Sequence, residues 1–151
     1  MEAHPVRFVF AAILLVGATV GIHATGTFLL LRFLLTRRMI KEFKYLRSTL
    51  AVAFIVVALL IIHLAEVFVW AIYYEAKGCV PDFATGVYFS MTTYSTLGYG
   101  DVVLQNSWRI LAGVESLVGL LMIGWSTALL IRAVSWVNTR LLNHWGLKVP
   151  E

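Results

Sequence analysis

One short segment has the composition of a backbone that could bind a dehydrated cation. Residues 95–101, here called the glycine segment, read Ser-Thr-Leu-Gly-Tyr-Gly-Asp, with Gly98 and Gly100 two positions apart. Removing water from an ion requires several oxygen ligands at once. Successive carbonyl groups supply them only if the backbone alternates into conformations that glycine adopts without steric cost. The segment therefore predicts a row of backbone carbonyl ligands.

The composition of the whole chain excludes a water-soluble enzyme domain. Of the 151 residues, 60% are hydrophobic and 13% are charged, and a single soluble core cannot bury that much apolar surface. The net charge is +4, but the basic residues lie at the ends of apolar stretches, so we expect no nucleic-acid partner. Cys79 is the single cysteine, which excludes an intrachain disulfide and a cysteine-rich metal site.

Three apolar stretches are long enough to cross a membrane as helices: residues 8–35, 49–74 and 110–137. About 20 residues suffice, because a helix rises 1.5 Å per residue through about 30 Å of hydrocarbon. The first stretch is too long for a secretory signal, so we expect it to be retained. Gly17 and Gly21 within it have a spacing that permits close helix approach. These features predict a multi-pass, all-α protein of the cell membrane.

The basic residues predict the orientation of the three helices. Most of them fall into two groups, one between the first and second stretches and one at or after the end of the third. Because cytoplasmic loops carry an excess of lysine and arginine, we expect an extracellular N-terminus and a cytoplasmic C-terminus. The first group also suits contact with anionic lipid. Its members are Arg37, Arg38, Lys41, Lys44 and Arg47.

The connection between the second and third stretches contains a short predicted helix. Pro81 and Asp82 favour a helix start, and residues 82–94 then supply about three turns. Such a helix is too short to span a membrane, so we expect it to enter and return. The glycine segment would be the return, which is tolerated only where it is buried in protein or lines a water-filled path.

The glycine segment and its surroundings resemble a known family. The sequence from Thr96 to Asp101 is similar to the selectivity filter of potassium channels, and residues 48–137 follow that family's order of outer helix, pore helix, filter and inner helix. The chain resembles the small prokaryotic potassium channels with one additional N-terminal helix. The resemblance implies a homotetramer, since each chain has one filter, and passive potassium-selective conduction with no enzymatic activity and no cofactor besides the permeant ions.

The same resemblance divides the chain into four parts. They are an N-terminal transmembrane helix at 1–36, a basic cytoplasmic connector at 37–47, the pore domain at 48–137 and a short cytoplasmic tail at 138–151. The pore domain would comprise an outer helix at 48–75, a pore helix at 82–94, the filter at 95–101 and an inner helix at 107–137.

The resemblance also implies roles for individual residues. Potassium would be bound in the filter by Thr96, Leu97, Gly98, Tyr99 and Gly100. The filter would be supported by Asp101, Tyr88, Thr92, Thr93 and Glu75. Leu97 replaces the usual valine, Phe89 stands where many relatives have a tryptophan, and Thr92 stands where some have a glutamate. A supporting hydrogen bond from position 89 is therefore expected to be absent.

On the third apolar stretch, one helical face is expected to line the ion cavity, and two glycines are candidate hinges. The cavity residues recur at spacings of three and four: Leu120, Ile123, Thr127 and Ile131. For Gly119, hinge and close packing are both open interpretations, and for Gly124 packing is favoured.

Two acids lie within apolar stretches. Counted from the outer helix ends, Glu66 and Glu115 lie about 13 Å and about 12 Å deep, with His63 one turn from Glu66. We predict a buried acid network behind the filter that sets how long it conducts. The alternative is that each carboxylate separately bonds a hydroxyl or an indole and ties helices together.

Two other functions are compatible with parts of the sequence. A haem held between His23 and His63 is disfavoured, because the two residues are expected to differ in depth by about 14 Å. A nonselective cation channel is the stronger alternative, against which the intact Gly98-Tyr99-Gly100 argues. The sequence predicts neither the gating stimulus nor the role of the N-terminal helix.

Overall fold

The computed structural model describes residues 5–36, 45–105 and 108–145, which form four helices. They are α1 (Pro5–Thr36), α2 (Tyr45–Ala76), α3 (Phe83–Tyr94) and α4 (Trp108–His144). By length and composition, α1, α2 and α4 each contain a span that can cross a membrane. α3 has 12 residues, about 18 Å of helix, and cannot. The chain is thus an all-helical, multi-pass membrane protein.

Several element ends differ from the sequence prediction. α4 continues to His144, so the first seven residues of the predicted tail are helical. α2 begins at Tyr45, which places Arg47 in its first turn instead of in the connector. Of the other predicted lipid contacts, Arg37, Arg38, Lys41 and Lys44 lie outside the described residues.

α1 packs antiparallel against α2 along much of its length. The Trp70 indole N–H donates to the Thr19 hydroxyl at 2.9 Å. Farther along α1, a Cβ added at Gly26 would lie 2.8 Å from the Ile62 side chain. The glycine that α1 uses for close approach is therefore Gly26. At Gly17 and Gly21, no atom of the described chain lies within 4 Å of the position that a Cβ would take.

α2 is the central helix and contacts each of the other three. Its fully buried Trp70 and Tyr74 belong to a core shared with α3 and α4. The Tyr74 and Phe89 rings meet edge to face, with centroids 5.3 Å apart, a favourable aromatic geometry. This core holds α3 against α2 and so positions the segment that follows α3.

Candidate functional site

α3 starts at a capped N-terminus, as its sequence predicts. The Asp82 carboxylate accepts a hydrogen bond from the Thr85 backbone N–H at 2.8 Å, the usual N-cap contact. That backbone hydrogen bond lowers the pKa of the exposed Asp82 carboxyl. The cap therefore stays ionised near neutral pH, next to the positive end of the helix dipole.

The glycine segment follows α3 with left-handed backbone at every second residue. The φ angle is 63° at Thr96, 52° at Gly98 and 81° at Gly100. Gly98 and Gly100 adopt such angles freely, but the β-branched Thr96 does so only where its surroundings impose it. The alternation that the sequence predicts is thus confirmed, and it extends two residues further toward α3, to Thr96, than the glycines alone indicate.

Backbone hydrogen bonds tie the glycine segment to the end of α3. The Thr96 N–H donates to the Thr93 carbonyl and the Gly98 N–H donates to the Thr92 carbonyl, both at 3.0 Å. The Thr92 hydroxyl is used within α3, donating to the Phe89 carbonyl at 3.0 Å. Thr92 and Thr93 therefore support the segment through their carbonyls.

Asp101, at the far end of the segment, is held by the predicted tyrosine. The Tyr88 hydroxyl donates to Asp101 Oδ2 at 2.6 Å, and the Val102 N–H donates to Oδ1 at 3.0 Å. The Tyr88 hydrogen bond lowers the pKa of the Asp101 carboxyl. Glu75, by contrast, is exposed at the end of α2, and no hydrogen bond within the described residues joins its side chain to the segment.

Replacing Tyr88 with phenylalanine should raise the pKa of Asp101 toward its ordinary value. A lowered pKa in the folded state stabilises the protein above the ordinary aspartate pKa, and this contribution is lost as the pH falls through the lowered value. Wild type should therefore melt at a higher temperature than Tyr88→Phe at neutral pH, and the difference should vanish in acid. Thermal unfolding across a pH series measures this. In an Asp101→Asn background, Tyr88→Phe should change the melting temperature by the same amount at every pH. If wild type and Tyr88→Phe also differ by a constant amount at every pH, the hydrogen bond between Tyr88 and Asp101 is contradicted.

Of the four predicted cavity residues of α4, two line a groove of the single chain. Ile123 and Thr127 line a groove of about 600 Å³ that also includes Leu97 and Tyr99 of the glycine segment. Leu120 and Ile131 are exposed and do not line that groove. The groove is almost entirely apolar, so one chain presents the glycine segment beside a large uncovered apolar surface.

The two candidate hinge glycines differ sharply in their surroundings. Gly119 is buried, and a Cβ there would overlap the backbone carbonyl oxygen of Tyr94, while a Cβ at Gly124 would have no neighbour within 4 Å among the described residues. Gly124 makes no close contact among the described residues of one chain, so the packing role favoured for Gly124 stays a prediction. Close packing is found at Gly119, directly against the end of α3.

The predicted acid network divides into two separate sites. Glu66 accepts a short hydrogen bond from the Tyr94 hydroxyl, and one of its oxygens lies 3.4 Å from His63 Nδ1. Glu115 instead accepts from the Tyr74 hydroxyl at 2.9 Å. Tyr74 is eight residues from Glu66 along α2, about 12 Å of helix rise. Glu66 and His63 are thus brought together as predicted, whereas Glu115 has its own partner, as in the alternative interpretation.

The two membrane histidines are neighbours, which corrects their expected difference in depth. The His23 and His63 ring centroids are 5.3 Å apart. The expected difference treats each helix as just long enough to cross about 30 Å of hydrocarbon. α1 and α2 have 32 residues each, about 48 Å of helix, so counts from opposite ends do not give relative depth, and His23 lies opposite Glu66. The rings are nevertheless too close for a haem, because an iron porphyrin between two axial imidazoles would hold their centroids farther apart.

Residues 48–135 match a protein family described as "Ion channel". The match begins in the first turn of α2, includes α3 and the glycine segment, and ends in α4; α1 lies outside it. No curated protein and no solved structure matches the chain.

Proposed function

We propose that this chain, which belongs to the ion channel family, assembles as a homotetramer that conducts potassium ions selectively and passively across a cell membrane. The observation that carries the proposal is the alternating left-handed backbone at Thr96, Gly98 and Gly100. It occurs in a Thr-Leu-Gly-Tyr-Gly sequence fixed to the end of a short helix. Carbonyl oxygens in such a row replace the hydration shell of a permeant ion.

Four copies are needed because one glycine segment supplies only one side of a coordination ring. In the proposed tetramer, potassium is bound by the carbonyls of residues 96–99 and the Thr96 hydroxyl. The exposed Leu97 and Tyr99 side chains, 60% and 68% accessible in the single chain, would pack behind the filter against neighbouring subunits. Burial of these side chains against neighbouring subunits favours assembly.

The same arrangement gives roles to α4 and to the outer residues. Ile123 and Thr127 would line the water-filled cavity on the cytoplasmic side of the filter, with Leu120 and Ile131 on the same helix face. If the N-terminus is extracellular, two crossings by α1 and α2 bring the chain back to the outer side. α3 would therefore enter the membrane from outside. Asp101, held by Tyr88, would then lie at the outer mouth as an ionised carboxylate that attracts cations.

Reversal potentials test the proposal. Purified protein in planar bilayers, with potassium on one side and sodium on the other, should give a reversal potential close to that of potassium. Mass measurement of the same preparation should give four chains per particle. Equal sodium and potassium permeability would instead favour a nonselective cation channel, and a monomeric or dimeric conducting particle would overturn the fourfold ring.

A further inference from the structure

A buried polar cluster lies where α1 meets the domain matched by the channel family. All four helices contribute to it: His23 from α1, His63 and Glu66 from α2, Tyr94 from α3 and Ser126 from α4. The side chains of His23 and Glu66 are fully buried, and that of His63 is 17% accessible. We call these five residues the histidine cluster.

The two imidazoles are oriented alike between a carboxylate and a hydroxyl. On one side, His23 Nδ1 lies 2.9 Å from Glu66 Oε1 and His63 Nδ1 lies 3.4 Å from Glu66 Oε2. On the other side, Ser126 Oγ lies 3.0 Å from His63 Nε2 and 3.4 Å from His23 Nε2. Both Nδ1 atoms therefore face Glu66, and both Nε2 atoms face Ser126.

The positions of the ring protons decide whether the histidine cluster presents lone pairs to a cation. If both neutral rings carry their proton on Nδ1, two Nε2 lone pairs face the single hydroxyl proton of Ser126. If both carry it on Nε2, the two N–H groups can donate to the two lone pairs of Ser126 Oγ. In that second case, two Nδ1 lone pairs converge with an anionic carboxylate, which is the arrangement that binds a cation. In the metal-free protein, a proton on His23 Nδ1 and one on His63 Nε2 let the Ser126 and Tyr94 hydroxyls complete the hydrogen bonds.

We propose that the histidine cluster binds a divalent transition-metal ion of the zinc class through His23 Nδ1, His63 Nδ1 and a Glu66 carboxylate oxygen. Two imidazoles and one carboxylate form a common zinc ligand set. One ligand atom from each residue lies within 4.8 Å of the others. Ligands at zinc bond lengths of about 2.0–2.1 Å in a tetrahedron are separated by about 3.3 Å, so small side-chain shifts close the site.

The surroundings of the three ligands fit the same assignment. Metal-bound histidines usually donate their second ring N–H to an oxygen that fixes the ring, which is the position of Ser126. The Tyr94 hydroxyl, 2.9 Å from His63 Nδ1, or a water molecule can complete four-coordination. The accessible edge of His63 opens into the groove beside the glycine segment, which gives an ion a route to the site.

The inference goes beyond the proposed potassium channel and does not depend on it. His23 lies outside the matched residues 48–135, so the site exists only because α1 packs on that domain. A bound ion would cross-link α1 to α2 next to Tyr94, the last residue of α3. Metal binding to the folded protein should therefore also raise its melting temperature.

Titration with Co²⁺ tests the site on the purified, full-length protein, prepared without a polyhistidine tag and stripped with a chelator. Co²⁺ in a tetrahedral nitrogen and oxygen site should produce intense visible absorption bands that saturate at one ion per chain. Zn²⁺ should displace it, because zinc binds more tightly than cobalt. Absence of these bands, or saturation at several weak sites, would overturn the proposal.

Variants locate the site. His23→Asn and His63→Asn keep a donor near the Nδ1 position but remove the metal ligand, and each should weaken Co²⁺ binding by roughly 100-fold or more, whereas Ser126→Ala should weaken it by about 10-fold. His144→Ala is the matched control and should bind as wild type does. Unchanged affinity in His23→Asn would overturn the assignment. Binding is read from absorbance and stoichiometry, so a failure of potassium selectivity would leave this result standing.

Discussion

Replacing Gly98 with alanine should abolish selective potassium conduction while leaving the tetramer assembled. Gly98 has a φ of 52°, and a side chain in the left-handed region costs about 1–2 kcal/mol. No neighbouring atom of the described chain lies within 4 Å of the position that the new methyl would take. The cost is therefore conformational, and it is relieved when the backbone rotates and turns its carbonyl groups away from the ion.

Gly78 provides the matched control for this experiment. It also has a positive φ, 67°, and open space at the Cβ position, but it lies in the turn after α2. Gly78→Ala thus carries a similar backbone cost without altering the filter, and it should conduct potassium selectively. Reversal potentials and particle mass should be measured for both variants. Wild-type selectivity in Gly98→Ala would refute the filter assignment, and loss of selectivity in both would indicate general destabilisation.

The features that can be predicted from the sequence are those fixed by local physical chemistry. The first apolar stretch is predicted at residues 8–35, and α1 spans Pro5–Thr36, because a long apolar segment in a membrane must satisfy its backbone hydrogen bonds internally and so forms a helix. The Asp82 cap and the left-handed glycines follow in the same way, from hydrogen bonding and steric freedom within a few residues. None of these predictions requires knowledge of which helices are neighbours.

The features that cannot be predicted depend on how the helices lie along one another. A membrane helix that is apolar on all sides has no stripe that identifies its packed face, so no pattern in the sequence places His23 beside Glu66. The depth difference expected for the histidines is wrong because α1 and α2 are both longer than the hydrocarbon layer is thick, so the distance from a helix end does not give depth. The hydroxyl partners Tyr74, Tyr94 and Ser126 escape prediction because contacts between distant segments follow no spacing rule.

Glycine spacing has the same limitation. It indicates where close approach is possible. Among the described residues of one chain, a Cβ would have neighbours closer than 3 Å at Gly26 and Gly119, but none within 4 Å at Gly124. At Gly26 the neighbour is the end of a flexible Ile62 side chain, which can move. At Gly119 the neighbour is the backbone carbonyl of Tyr94, which is held within the core between α2, α3 and α4.

Gly119→Ala should therefore damage both the stability of the protein and its ion selectivity. The added methyl would overlap the Tyr94 carbonyl oxygen and also lie 2.9 Å from the Tyr94 ring. Overpacking of this kind costs about 1–3 kcal/mol or more, and we expect the melting temperature to fall by roughly 5 °C or more. Because Tyr94 directly precedes Ser95 and Thr96, any shift that relieves the overlap also moves the start of the glycine segment.

Gly124→Ala separates this effect from loss of helix flexibility. Both substitutions replace a glycine in α4 with a better helix former, which alone should stabilise the helix by about 1 kcal/mol. If the glycines serve mainly as hinges, both variants should keep their selectivity and change only open probability. If Gly119 is needed for contact with Tyr94, only Gly119→Ala should melt early and lose discrimination between potassium and sodium. A Gly119→Ala channel as stable and selective as Gly124→Ala would show that α4 can move away from α3 without disturbing the filter.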